Sequence, residues 1–402
     1  MAEYKYLIIG GGMTGDAAAQ GIRELDPNGT IGMIGAERDP PYNRPPLTKG
    51  LWKGKPFDSI WRPAGDRHVD LHLGRRAEMI DAKSKRITDN QGDTYTYDKL
   101  LLATGGQPRR LPFGGDLIIY YRTVEDFRRL YATAEQRRRF TVIGGGFIGS
   151  EIAAALAMND KEVTMLFPGS AICARMFPRE LSEFLNDFYR QKGVEVLPEE
   201  SVTGLEQRGE QFVLSTADGR EIVTDCVVAG IGLDPDVELA RQAGLKLENG
   251  VMVDEFCATS RPDIYAAGDV ALFFNPALGK HLRVEHEDNA LTMGRVAGRN
   301  MAGDARPYHH LPYFYSDLFE LGYEAVGELD ARLETVVDWE QPYHKGVIYY
   351  LKQGRVRGVL LWNVWEQVEA ARSLIAARQE FQPQDLIGRL PAAKAPVGAS
   401  LK

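Results

Sequence analysis

Two short apolar runs, Tyr6-Leu-Ile-Ile9 and Phe140-Thr-Val-Ile143, carry no charge and each stops at a glycine. Each sits where a strand turns into a helix. Each leads through a glycine-rich turn toward a helix, the alanine-rich amphipathic stretch Ala17 to Leu25 after the first and Ser150 to Met158 after the second. A further strand follows each stretch, Thr30 to Gly35 and Glu162 to Phe167. Strand, helix, strand, repeated, predicts α/β architecture. Later, Gly250 to Asp254 and Ile264 to Asp269 return to short apolar strands, assigned to the first domain. Beyond residue 307 the alternations Gly346 to Leu351 and Val356 to Trp362 predict antiparallel strands, and Val368 to Arg378 a helix. The tail Pro391 to Lys402, rich in Pro, Ala and Gly, is expected to be mobile. The expected domains are 1–113 with 239–306, then 114–238, then an α+β domain over 307–402.

The two turns share one spacing, Gly10-x-Gly12-x-x-Gly15 and Gly144-x-Gly146-x-x-Gly149. In such a turn the first glycine permits the tight bend and the second lets backbone approach a pyrophosphate. The third lets helix and strand pack closely. The pyrophosphate rests on N–H groups at the positive end of the helix. One such turn is a weak signal, but two in strand–helix frames predict two dinucleotides and electron transfer between them. About twenty residues past the third glycine an acid reaches a ribose 2′-hydroxyl. Glu37 fills that slot after the first turn and Phe167 after the second, so the two sites are expected to hold different cofactors.

Composition narrows the field. A chain of 402 residues suits two or three domains. A net charge of −8 argues against nucleic acid as the main partner. The basic clusters Arg109-Arg110, Arg128-Arg129 and Arg137-Arg138-Arg139 read first as solvated faces; a docking patch for a cofactor phosphate or an acidic protein is the sharper alternative. No apolar run approaches the ~18 residues of a membrane span, and the first strand begins close to Met1. No signal or transit peptide and a cytoplasmic location are therefore expected. Cys173, Cys226 and Cys257 form no close pair, which excludes a disulfide framework and a redox-active dithiol. His68 and His72 lie on a strand-like alternation and His309-His310 are adjacent, so no metal site is expected.

Further segments complete a set: Pro41-Tyr-Asn-Arg44-Pro45-Pro46-Leu-Thr-Lys49, Ala103-Thr104-Gly105, Gly230-Ile-Gly232 and Tyr265-Ala-Ala-Gly268-Asp269. Together they resemble the FAD-dependent pyridine nucleotide oxidoreductases of the ferredoxin-reductase type. Leu166-Phe167-Pro168, Val284-Glu285-His286, Phe314-Tyr315-Ser316-Asp317-Leu318 and Val359-Leu-Leu-Trp362-Asn363 resemble apoptosis-inducing factor and its bacterial relatives more closely. The resemblance implies two Rossmann-like domains of glutathione-reductase type and a C-terminal α+β domain with an antiparallel sheet. It implies FAD on Gly10, Gly12 and Gly15, with Glu37 on the adenosine ribose and Arg44-Pro45 along the cofactor. Thr104, Gly105, Gly268 and Asp269 would lie at the same cofactor.

Lys49 resembles the family lysine near flavin N5, and Glu151 the glutamate that holds it. An ammonium there stabilises the charge of reduced flavin. Glu285 and His286 precede a helix, Asn289 to Met301, whose N-terminus would face the flavin's pyrimidine end. Tyr315 stands where relatives often place Trp and is carried over as a flavin contact. NADH would lie on Gly144, Gly146, Phe147, Ile148, Gly149 and Phe167, with Gly230 and Gly232 admitting the nicotinamide. Phe167 leaves NADPH open, with Arg175 as a candidate for its 2′-phosphate. Hydride would pass to the flavin and electrons to a ferredoxin or rubredoxin, with quinone and oxygen as other acceptors. The alternative is a redox-sensing flavoprotein of apoptosis-inducing-factor type that forms a charge-transfer complex and changes association. The acidic balance and short third domain depart from that protein. Monomer and dimer both stay open.

Overall fold

A computed structural model of the chain describes residues 1–64 and 67–390. The expectation for the tail Pro391 to Lys402 lies outside the described residues. The chain is mixed α/β and divides into two units, each built from several stretches.

The first unit takes Met1–Arg110, Tyr120–Leu130 and Gly232–Pro312. Its seven-stranded sheet is parallel across Val69–Leu73, Ile31–Gly35, Ala2–Ile9 and Thr94–Leu102. On the edge away from Ala2–Ile9, the long strand Thr94–Leu102 serves two further neighbours. Its first half pairs antiparallel with Arg86–Asp89, and its last residues pair parallel with Ile264–Ala266. The chain thus returns to its first sheet after a long excursion. Leu7, Ile8, Leu100 and Leu101 are fully buried, as expected of parallel strands covered on both faces.

The helix Met13–Arg23 packs against the helix Glu287–Met301 through small residues. Where Gly298 stands, a Cβ would land on the Ala18 carbonyl oxygen, and at Gly21 it would land on that of Arg295. Backbone therefore lies on backbone, and the start of the second helix is fixed relative to the first glycine turn.

The second unit takes Leu111–Ile119, Tyr131–Ile231 and the chain from Tyr313 onward. Its parallel sheet runs Val194–Pro198, Glu162–Phe167, Arg139–Ile143, Cys226–Ala229, Ile118–Tyr120. A three-stranded antiparallel meander, Val202–Arg208, Gln211–Thr216 and Glu221–Thr224, is separate. The C-terminal part is a five-stranded antiparallel sheet in the order Tyr313–Leu318, Leu321–Gly327, Arg355–Trp362, Lys345–Lys352, Glu334–Gln341. The helix Val368–Ala376 packs on it.

Three helices begin earlier than their hydrophobic periodicity predicts. They start at Met13 rather than Ala17, at Phe147 rather than Ser150, and at Glu287 rather than Asn289. In the first two the helix already takes in the third glycine of its turn, Gly15 or Gly149, and in the third the first turn is acidic, Glu287-Asp288. The helix after Val368 ends at Ala376 rather than Arg378, where Arg378 takes φ +51.

Candidate functional site

The two glycine turns are built alike. Gly10 takes φ +126 and its Cβ position is filled by the Ala103 carbonyl; Gly144 takes φ +121 against the Gly230 carbonyl. Gly15 and Gly149 each press on the carbonyl of the first glycine of their own turn. Only glycine fits these positions. The middle glycines differ: a Cβ at Gly12 or Gly146 would meet nothing within 4 Å. Each is also the N-cap of its helix, with φ −95 and ψ −169 at Gly12, φ −92 and ψ −165 at Gly146. Neither helix start has a side-chain cap. Unfilled space over a helix start that no side chain caps is what a pyrophosphate needs. The residues present fit one dinucleotide in each unit.

Around the first turn a chain of charged groups runs across the unit. Both Glu37 oxygens are engaged, by the Tyr42 hydroxyl at 2.6 Å and the Arg44 guanidinium at 2.7 Å. Arg44 also donates to the Arg122 carbonyl at 2.8 Å, and Arg122 donates to Asp269 at 3.0 Å. Burial and the neighbouring Arg44 charge hold the Arg122 guanidinium below its usual pKa. Each guanidinium faces a carboxylate, Arg44 that of Glu37 and Arg122 that of Asp269. Arg283 donates to the Asp269 carbonyl at 3.1 Å and pairs with Glu285 at 2.6 Å. Gly268 takes φ +75 with its Cβ position occupied by Thr14, and Gly105 takes φ +65 beside Arg122. The Thr104 hydroxyl donates to the Asp236 carbonyl at 2.7 Å.

Lys49 sits at a sharp bend, φ −128 and ψ −92, between the 3₁₀ turns Pro45–Thr48 and Gly50–Lys53. The bend is anchored from below. The Leu47 carbonyl accepts from the Tyr121 hydroxyl at 2.5 Å and from the Trp52 indole at 2.8 Å. His286 is the N-cap of the helix Glu287–Met301, without a side-chain cap. Burial pushes its imidazole from 6.5 down to about 4; Asp269 opposes that shift and Lys49 adds to it. The ring is therefore neutral at physiological pH.

In the second unit Glu151 lies on the helix Phe147–Met158 and is only 4% exposed. The fully buried Ser316 hydroxyl donates to its Oε1 at 2.6 Å. Cys173 lies near; burial and the Glu151 charge push its thiol up to about 12. The Tyr189 hydroxyl donates to the Ser150 carbonyl at 3.0 Å and steadies the same helix turn. Phe147 meets Phe314 edge-on at 5.2 Å. Phe167 is buried with its ring against Gly145.

The structure thus gathers Glu37, Arg44 and Asp269 into one network, joined by Tyr42 and Arg122, which pattern reading missed. Arg122 was traceable only indirectly: Thr123 and Asp126 have the spacing of a helix-capping pair, and both cap the helix Val124–Gln136. Ser316 was missed too. It alternates with Tyr315 along Tyr313–Leu318, so the two side chains leave opposite faces of the strand. Ser316 turns to Glu151, while Tyr315 stacks with Tyr313 at 6.5 Å. His72 accepts or donates one bond with the Tyr4 hydroxyl at 2.8 Å on its strand, and His310 pairs with Asp288.

A family model for pyridine nucleotide-disulphide oxidoreductases matches residues 4–294. A model for the C-terminal part of mitochondrion-associated apoptosis-inducing factor matches 297–342 and 337–377. Apoptosis-inducing factor 1 of Dictyostelium discoideum is 34% identical over 423 residues, covering 94% of this chain and 80% of that protein. The ferredoxin reductase subunit of 5,5'-dehydrodivanillate O-demethylase from Sphingobium sp. is 36% identical over 386 residues, covering 93% and 94%. Among solved structures, the reductase of the covalent putidaredoxin reductase–putidaredoxin complex superposes with a TM-score of 0.89 at 30% identity, covering 96% of this chain and 95% of that one.

Proposed function

The chain belongs to the pyridine nucleotide-disulphide oxidoreductase family, and we propose that within it the protein passes hydride from NADH to FAD and electrons onward to a small iron–sulfur carrier of ferredoxin type. The observation that carries this reading is the pair of glycine turns with matching backbone angles, each opening on an uncapped helix start. Relatives whose names include ferredoxin reductase, and the putidaredoxin reductase neighbour, support the same acceptor class. Bound FAD supplies the exchange between a two-electron donor and one-electron acceptors.

The chain's own residues would bind, orient and balance charge. Residues 1–113 with 239–306 would form the FAD domain, 114–238 the NADH domain, and 307–402 the C-terminal domain. Gly10, Gly12 and Gly15 would receive the FAD pyrophosphate, with Glu37, Arg44, Pro45, Thr104, Gly105, Gly268 and Asp269 around it. Lys49 would offset the negative charge of the reduced ring. On the second unit Ser316 would hold Glu151. The neutral His286 at an uncapped helix start leaves the helix dipole, not a second cation, facing the ring. Gly144, Gly146, Phe147, Ile148, Gly149, Gly230 and Gly232 would admit the nicotinamide nucleotide. Tyr315 would serve as a flavin contact. The three cysteines are buried, which leaves no exposed dithiol for disulfide reduction.

The match to the apoptosis-inducing-factor C-terminal model favours a second reading, an NADH-responsive redox sensor. One experiment separates them. The flavin-loaded protein is reduced anaerobically with NADH, then mixed rapidly with ferredoxin, rubredoxin, quinone or oxygen. Fast reoxidation by an iron–sulfur carrier is expected. A lasting long-wavelength band, slow reoxidation by every acceptor and an altered sedimentation coefficient would establish the sensor instead. No bleaching by NADH would sink both.

A further inference from the structure

We infer that Glu199 is the residue by which the second dinucleotide site tells NADH from NADPH; the inference rests on the function proposed above and deepens it. The slot where an acid ordinarily meets the ribose belongs to Phe167. That side chain is 3% exposed, and a Cβ at Gly145 would stand 2.6 Å from its ring. Phe167 therefore floors the glycine turn and offers nothing polar. Pro168, Gly169 and Ser170 follow it, exposed and uncharged. A Cβ at Gly169 would meet nothing nearer than 3.9 Å, so the space beside the strand end is open.

The adjacent strand supplies what this one lacks. Val194–Pro198 pairs in parallel with Glu162–Phe167, and Pro198 stands opposite Phe167. Both strands therefore end at the sheet edge that carries the second glycine turn. Two backbone bonds then tie the next residues to the open slot. The Glu199 N–H donates to the Gly169 carbonyl at 2.8 Å, and the Glu200 N–H to the Phe167 carbonyl at 3.1 Å. Glu199 takes φ +58, a conformation that L side chains rarely adopt.

That twist separates two consecutive glutamates. Glu200 is buried and spends one oxygen on the Ser201 and Ala217 N–H groups at 2.9 and 3.1 Å. Glu199 remains exposed, next to the open edge of Gly169. A carboxylate there accepts hydrogen bonds from the two vicinal hydroxyls of an adenosine ribose. It also repels a 2′-phosphate, whose charge has the same sign. The discriminating acid has been supplied by the third strand rather than the second.

The test uses flavin-loaded protein and the variants Glu199→Gln and Glu195→Gln. Glu195 lies on the same strand, bonded to the Thr164 hydroxyl at 2.9 Å, and serves as the control. Stopped-flow reduction gives kcat/KM for NADH and for NADPH. Glu199→Gln is expected to cut the preference for NADH by about tenfold, in KM rather than in the limiting rate; Glu195→Gln should leave it unchanged. Calorimetry without turnover supplies a second readout. Wild type should bind 5′-AMP more tightly than adenosine 2′,5′-bisphosphate, and Glu199→Gln should narrow that gap. An unchanged NADH-to-NADPH ratio and an unchanged pair of affinities in Glu199→Gln overturns the assignment. If neither nucleotide reduces the flavin, the proposed function fails, while the calorimetry still decides the role of Glu199.

Discussion

Ser316 shows how one hydroxyl can govern a carboxylate. Glu151 is 4% exposed, and its Oε1 accepts a hydrogen bond from the Ser316 hydroxyl at 2.6 Å. Removing a donor from a buried acceptor costs about 1–3 kcal/mol. Ser316→Ala should lower unfolding free energy by that amount in denaturant titrations, and should slow flavin reduction by NADH as Glu151 loses its fixed orientation. His286 makes a prediction about pH. Its folded-state pKa is depressed to about 4 from 6.5, so between these values the unfolded chain binds a proton that the native chain refuses. Stability from this group is full above pH 6.5 and is lost as pH falls toward 4. Denaturation curves across that window should fall more steeply for wild type than for His286→Gln; parallel curves would remove the residue from the acid response. Glu151, two residues past Gly149, entered the reading through the family resemblance. Ser316 did not, because its partner lies far back in the chain and the neighbouring Tyr315 carries the more conspicuous ring.

Among elements, the glycines divide into those that make room for protein and those that make room for a ligand. Gly298 belongs to the first kind, since the Ala18 carbonyl occupies its Cβ position. Gly298→Ala must push two helices apart and is expected to cost about 1–3 kcal/mol, read as a lower unfolding temperature. Gly12 belongs to the second kind, with open space over it and a φ of −95 that alanine adopts freely. Gly12→Ala should leave the apoprotein's unfolding temperature unchanged and weaken FAD retention, measured by flavin fluorescence released on dilution. Loss of stability in Gly12→Ala with flavin affinity intact would reverse this assignment. The strands adjoining both turns were readable from apolar runs, whereas the helix starts were not. Met13, Phe147 and Glu287 obey the geometry of the helix end, and periodicity registers only after it.

Over the whole molecule, the chain weaves between its units instead of completing one and beginning the next. The strand Ile264–Ala266 closes a sheet begun at Ala2, yet it has three residues, too few for alternation to declare its partner. Two cofactors were foreseeable from two motifs, and the apolar strands after residue 250 already point back to the first domain; the short stretch Tyr120–Leu130 that the first unit also takes carries no such signal. The first unit's network of Glu37, Arg44, Arg122 and Asp269 draws on all three of its stretches. FAD held there should therefore brace the unit as a body. At a thousandfold excess over its dissociation constant a ligand adds about 4 kcal/mol, and stripping the flavin should lower the unfolding temperature accordingly, with recovery on reconstitution.

The cysteines have a practical consequence. Cys173, Cys226 and Cys257 are all buried, and burial pushes the Cys173 thiol up to about 12. Alkylating reagents attack thiolates that they can reach, so the natural sulfurs should stay silent toward maleimides in the native state. One cysteine engineered onto the surface of each unit would then accept a spin label or fluorophore cleanly. Distances between the labels, recorded with and without nicotinamide nucleotide, would then be free of background from native thiols.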